Sequence, residues 1–191
     1  IISKSAGLFN SRGFAGTPLS EVLAATGLKK GGIYNHFESK EEIRLAAFDY
    51  AIGRLISRIE TIVEQEDSAT AQLRAILEFY RGYALDPVIE GGCPLLNSII
   101  DSDNTDPLLK SHVQRAIKEL QKRITFLFTK GVRSGELKGS TDPEREGTLF
   151  LAVIEGGVAL CRGSDEQRHM DVVIDMLLHR IEGMRVEEGT T

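Results

Sequence analysis

Lys29, Lys30, Gly32, Tyr34, Asn35 and His36 crowd into eight residues around Ile33, with Phe37 just beyond. Ile33 and Phe37 lie four apart, so on a helix they share one apolar face and leave the other six pointing outward. The outward set has the chemistry of a DNA-contacting surface. Lysine ammonium groups neutralise phosphates, the term that supplies most sequence-independent affinity. Asn and His carry hydrogen-bonding edges suited to bases, and a Tyr hydroxyl reaches phosphate oxygens. Gly31 and Gly32 remove side chains that would hold a helix end away from the DNA backbone.

The elements that must position these residues are legible on either side. Thr17 is expected to cap a helix with its hydroxyl, with Pro18 at the first helical position. Leu19, Val22 and Leu23 form one apolar face, and Ala24 and Ala25 let another helix approach closely. Gly27 suits a left-handed turn, after which Leu28 is expected to plug into the core. Ser39-Lys40-Glu41-Glu42 reads as a capping box, with Glu42 reaching back to the Ser39 N–H. Two short helices about one glycine, followed by a capped third, make a helix-turn-helix, whose second helix enters the major groove.

Residues 5 to 43 resemble the DNA-binding domain of the TetR family of bacterial transcription regulators. The pattern is Ala6, Leu8-Phe9, Gly13-Phe14, Thr17, Val22, Ala25, Gly27-Leu28, Lys30-Gly31, Ile33-Tyr34, His36-Phe37 and Ser39-Lys40-Glu41. The resemblance implies a dimer with an all-helical ligand-binding body, usually a repressor that a small molecule releases from DNA. It also implies that Thr17, Tyr34 and Lys40 contact phosphate, while Lys29, Lys30, Gly32, Asn35 and His36 lie on or near the groove-facing surface. Two positions depart from the family pattern: Lys29 stands where Ser or Thr usually caps the recognition helix, and Gly32 where Thr or Ser is usual. Family members usually begin some residues earlier, often with Arg or Lys, so a basic arm is expected before Ile1.

The net charge of −5 is unevenly spread. Residues 1–50 hold six Lys and Arg against five Asp and Glu, leaving +1, so the remainder carries −6. Local sign governs DNA contact, and the acidic remainder argues against a sequence-independent architectural binder. With 191 residues, 41% hydrophobic, the chain can bury a core, and with no Trp that core is aliphatic. No apolar run is expected to approach the roughly 18 residues that span a bilayer. Two cysteines and no signal-peptide pattern point to a cytoplasmic protein.

Beyond the motif, prolines mark helix starts: Pro94, Pro107 and Pro143 each follow a plausible capping residue. Helices are expected from Ser39 to about 66, from about 68 to 84, 94 to 101, 107 to 134, 143 to 162 and 165 to 185. The last two are rich in apolar residues. They are expected to form a homodimer interface of four packed helices, with Gly156 and Gly157 permitting close approach. The expectation is therefore all-α: a helix-turn-helix domain over residues 1–46, then a helical ligand-binding and dimerisation domain over 47–191.

Tyr80, Tyr83, Cys93, Asn97, His112 and Phe126 are candidates to contact a small apolar or amphipathic effector. Cys93 falls at a helix N-terminus, where thiolate is favoured, so a redox- or electrophile-sensing repressor is the alternative. Scattered histidines and unpaired acidic residues give no metal site, no cofactor and no catalytic set. A helical ligand carrier or enzyme not acting on DNA is the rival from another class. The expected partners are an operator duplex, a small-molecule effector and a second copy of the chain, with no membrane.

Overall fold

The computed structural model describes residues 1–103 and 106–187. Among these the fold is all-α, with nine helices and one isolated antiparallel bridge between Leu137 and Arg185. In chain order they are α1 (Ile2–Arg12), α2 (Leu19–Thr26), α3 (Lys30–Tyr34), α4 (Lys40–Val63), α5 (Ala69–Tyr83), α6 (Pro94–Ser102), α7 (Pro107–Ser134), α8 (Pro143–Ser164) and α9 (Arg168–Met184). The chain packs as two compact units. Residues 1–57 and 86–117 form the first, and 58–85 and 118–191 the second.

In the first unit Ala6, Phe9, Val22, Ile33, Ile43, Ala47, Ala51 and Ile89 make one apolar cluster. Gly27 adopts φ 72° and closes α2 by donating its N–H to the Leu23 carbonyl at 2.9 Å, as a left-handed C-cap does. Four local expectations are corrected. Pro18 is itself the N-cap of α2, and Thr17 caps nothing: its hydroxyl donates to the Gly13 carbonyl at 2.8 Å. Leu28 is 39% exposed, because the turn carries it outward rather than into the core. Ser39 accepts the Glu42 N–H as a capping residue should, yet the Glu42 carboxylate takes the N–H of Glu38 and not that of Ser39. Helix α4 ends at Val63, short of residue 66, because Gln72 of α5 donates to the Val63 and Glu66 carbonyls.

In the second unit α9 packs against both α5 and α8. Leu73, Leu77, Phe128, Phe150, Ile154, Met170, Ile174 and Ile181 are buried, and Phe128 meets Phe150 edge-on at 4.9 Å. Glu146 on α8 is buried and accepts both Nε and Nη2 of Arg180 on α9 at 2.6 Å. A Cβ at Gly157 would lie 3.1 Å from the Met170 sulfur, so this glycine sets the α8–α9 spacing; one at Gly156 would meet nothing. Helix α8 also corrects the expectation about apolar length. It has 22 residues and a window of mean hydropathy 1.2, enough by length and composition to cross a bilayer. Glu155 and Arg162 interrupt the run in sequence, and core helices share this apolar character.

Candidate nucleic-acid interface

Helix α3 has five residues and hangs on Ile33, which is fully buried. Around that anchor Lys29, Lys30, Tyr34, Asn35 and His36 are exposed, and Gly32 is half-buried. Lys29 is the N-cap and offers no side-chain bond, the consequence of a lysine where a hydroxyl would serve. At the other end the His36 N–H bonds the Ile33 carbonyl at 2.9 Å, a tight turn that holds Asn35 and His36 beyond the helix. The Lys30 ammonium lies 5.8 Å from the Tyr34 ring centroid. Packing does not require glycine at Gly31 or Gly32. A Cβ at the first meets nothing, and at the second it makes ordinary contact with Leu28 at 3.6 Å.

Two residues expected to contact phosphate also make contacts within the protein. Thr17 is fully buried, so its hydroxyl fastens the end of α1 and cannot face a phosphate in this conformation. Lys40 donates to the Phe14 carbonyl at 2.8 Å and lies 4.1 Å over the Phe14 ring. Burial, and then the neighbouring Arg44, lower its pKa. Arg44 stacks on the other side of the charge problem: it is 4% exposed, 4.3 Å from the same ring, and ion-paired with Asp106 and Glu41. It therefore adds no outward positive charge, and Arg12 is paired with Glu21. Lys29 and Lys30 carry the outward charge on α3 and its cap.

The candidate effector contacts divide between the two units. In the first, Cys93 is the N-cap of α6 and is fully buried. Asn97 donates to the Asn10 backbone carbonyl, the Asn10 side-chain oxygen and the Gly91 carbonyl at 2.9–3.0 Å. Asn10 in turn donates to the Glu90 and Gly92 carbonyls. His112 Nδ1 stands 2.9 Å from Asp49, with Arg115 bound to the same carboxylate. In the second unit Tyr80 and Tyr83 are buried in a ring cluster with Phe79, at centroid distances of 5.1–5.4 Å. Phe126 is 64% exposed and lines a groove of about 470 Å³. Sequence reading missed Asn10, whose partner is 87 residues away; no local signal marks it. Among the described residues no group of three or more His, Cys, Asp or Glu side chains could hold a metal ion.

Residues 1–47 match the family described as bacterial regulatory proteins, tetR family, and residues 69–177 match the tetracyclin repressor-like C-terminal domain. The chain belongs to the TetR family. A TetR transcriptional regulator from Chloroflexus aurantiacus J-10-FL is 38% identical, with a TM-score of 0.92 over 97% of this chain and 94% of that one. A TetR-family regulator from Cytophaga hutchinsonii is 31% identical, with a TM-score of 0.90 over 98% and 94%. The HTH-type transcriptional regulator TtgR of Pseudomonas putida is 25% identical over 82% of this chain and 75% of its own. This TetR-family chain is a DNA-binding transcriptional regulator with a helix-turn-helix, not an enzyme.

Proposed function

We propose that this regulator represses transcription by binding a palindromic operator as a homodimer, and that a small apolar or amphipathic molecule releases it. The observation that carries the reading is α3 itself: exposed Lys29, Lys30, Tyr34, Asn35 and His36 around a buried Ile33. Glycine at positions 31 and 32, which packing does not demand, supports a close approach of the DNA backbone. Lys30 and Tyr34 take phosphates and Asn35 and His36 address bases. Lys40 holds Phe14 through its carbonyl and its ring.

Residues 1–46 hold the DNA-contacting function, and 47–191 sensing and dimerisation. Dimerisation uses α8 and α9, on which Leu160, Val172 and Met176 are more than half exposed. That face meets a second copy rather than lipid, and the protein works in the cytoplasm. Effector binding acts through α4, which follows the helix-turn-helix directly. It releases DNA only insofar as the effector prefers the spacing of recognition helices that misfits the operator. The alternative of a thiol sensor at Cys93 draws no support from a sulfur that is wholly buried.

The test is fluorescence anisotropy on a labelled duplex from just upstream of the gene, with unrelated competitor DNA at about 150 mM salt, where electrostatic binding alone is weak. Binding that survives competitor, and is lost in a Lys30→Ala/Tyr34→Ala variant, is expected. Affinity unchanged by that double substitution sinks the assigned surface.

A further inference from the structure

Helix α7 sets Lys122, Phe126 and Lys130 at intervals of four, which stacks them along one face. This face borders a groove of about 470 Å³, within the usual size of small-molecule sites, and the groove lies entirely in the second unit. Its walls are Ile59 and Val63 from the end of α4, Ile76 from α5, and Leu127 with Phe126 from α7. An aromatic ring 64% exposed over such a trough leaves apolar surface that an acyl chain could cover.

The charges around the trough are not balanced alike. Arg123 is held by both Glu60 and Glu119, so its charge is spent within the protein. Among the described residues Lys130 donates to neutral oxygens, the Gln72 side chain at 3.0 Å and the Asp67 carbonyl at 3.3 Å. Lys122 is exposed and within electrostatic reach of Glu119, whose pKa it helps to lower, but no carboxylate lies within ion-pair distance of it among the described residues. Two ammonium groups without a bound carboxylate thus flank Phe126. An apolar trough with cationic ends complements a molecule that has an acyl chain and an anionic head.

We propose that this groove binds an anionic amphiphile of the fatty-acid type, with the chain over Phe126 and the carboxylate at Lys122 or Lys130. The proposal rests on the effector reading above and names the class of molecule that reading leaves open.

The chain has no Trp, so Phe126→Trp, at an exposed position, places a single reporter in the groove. Titration with dodecanoate is expected to shift its emission to shorter wavelength. Decanoate should bind about sixteenfold more weakly, at about fourfold per lost methylene. Dodecanol should bind less well than dodecanoate, and dodecyltrimethylammonium least. Adding Lys122→Glu should weaken dodecanoate about fivefold and reverse the preference between the two charged heads. The proposal is overturned if dodecanoate causes no shift or if all three head groups bind alike. An emission that changes on protein dilution alone would also overturn it, since a second copy would then occupy the groove.

Operator anisotropy with the same probe separates the two readings. A saturated shift without DNA release keeps the groove and removes its role as effector site. DNA release without a shift keeps an effector and removes this groove.

Discussion

Glu136 shows how one side chain can hold a helix start in place. Burial pushes its carboxyl pKa up, but hydrogen bonds from the Thr70 N–H and hydroxyl, the Ala69 N–H and the Ser134 hydroxyl outweigh that and hold it at about 2. The carboxylate therefore caps the N-terminus of α5 from 66 residues away. Because the folded pKa is depressed, the stabilisation is fully present above the unfolded value of about 4.3 and is lost as pH falls through about 2. Glu136→Gln should lower stability at pH 7 by on the order of 2 kcal/mol, discounted for partial exposure. It should also flatten the acid limb of the stability curve, which denaturant melts from pH 6 to 3 would read. The lysines of the DNA-binding region divide by the same kind of reasoning. Lys30→Ala should reduce the slope of log affinity against log salt by about one per subunit. Lys40→Met should instead cost about 1 kcal/mol of stability, through the lost Phe14 contacts, and move that slope less. Sequence alone expected both lysines at the DNA and gave no sign of the Lys40–Phe14 bond, because Phe14 lies 26 residues away and the contact is tertiary.

At the scale of elements, the proline-marked helix starts beyond the motif were legible, whereas the start of α9, expected at about 165 and found at Arg168, and several ends and fastenings were not. Pro94, Pro107 and Pro143 open α6, α7 and α8, because a fixed φ and a missing N–H are local properties. Apolar spacing is likewise a local property, and Leu109, Val113 and Leu120 on α7 and Met170, Ile174 and Leu177 on α9 are buried. The end of α4 was misjudged because it depends on a Gln72 amide arriving from the next helix. The segment before α6 takes its shape from α1. Gly91 has φ 97°, and a Cβ there would stand 2.6 Å from the Asn10 carbonyl carbon and the Ser11 nitrogen. Backbone presses on backbone at that point, and Asn97 and Asn10 close the contact. Gly91→Ala should therefore destabilise the protein by about 3 kcal/mol, from the positive φ and the clash together. Asn97→Ala should cost about 1–2 kcal/mol by leaving the Asn10 groups unmet. Thermal melts of the two variants check both. A Gly91→Ala protein as stable as the parent would mean that the loop can lift from α1 at little cost.

At the scale of the whole molecule, the outer face of α8 and α9 decides whether the acidic body and the helix-turn-helix work as one regulator. The two helices already satisfy each other internally: Gly157 faces Met170 and Val173, and Glu146 holds Arg180. Outside, apolar and small residues stand exposed among charged ones such as Arg162 and Asp175. Leu160 is 56% exposed, Val172 62% and Met176 63%, and Gly156 opens onto free space. The apolar composition of α8 that would suit a bilayer also suits a partner copy, and a twofold pairing would double the recognition helices over two half-sites about 34 Å apart. The second half-site then binds as an intramolecular event, worth a hundredfold or more in affinity without any new contact at the base pairs. Leu160→Glu with Met176→Glu places two carboxylates on each copy of that face and touches none of the buried core. The variant should keep its helical circular dichroism, sediment as a monomer, and bind a full operator about a hundredfold more weakly while binding an isolated half-site as the parent does. Equal loss on half and full sites would mean that the charges damaged the fold rather than the pairing. Unchanged sedimentation would show that the two copies, if they meet, meet elsewhere.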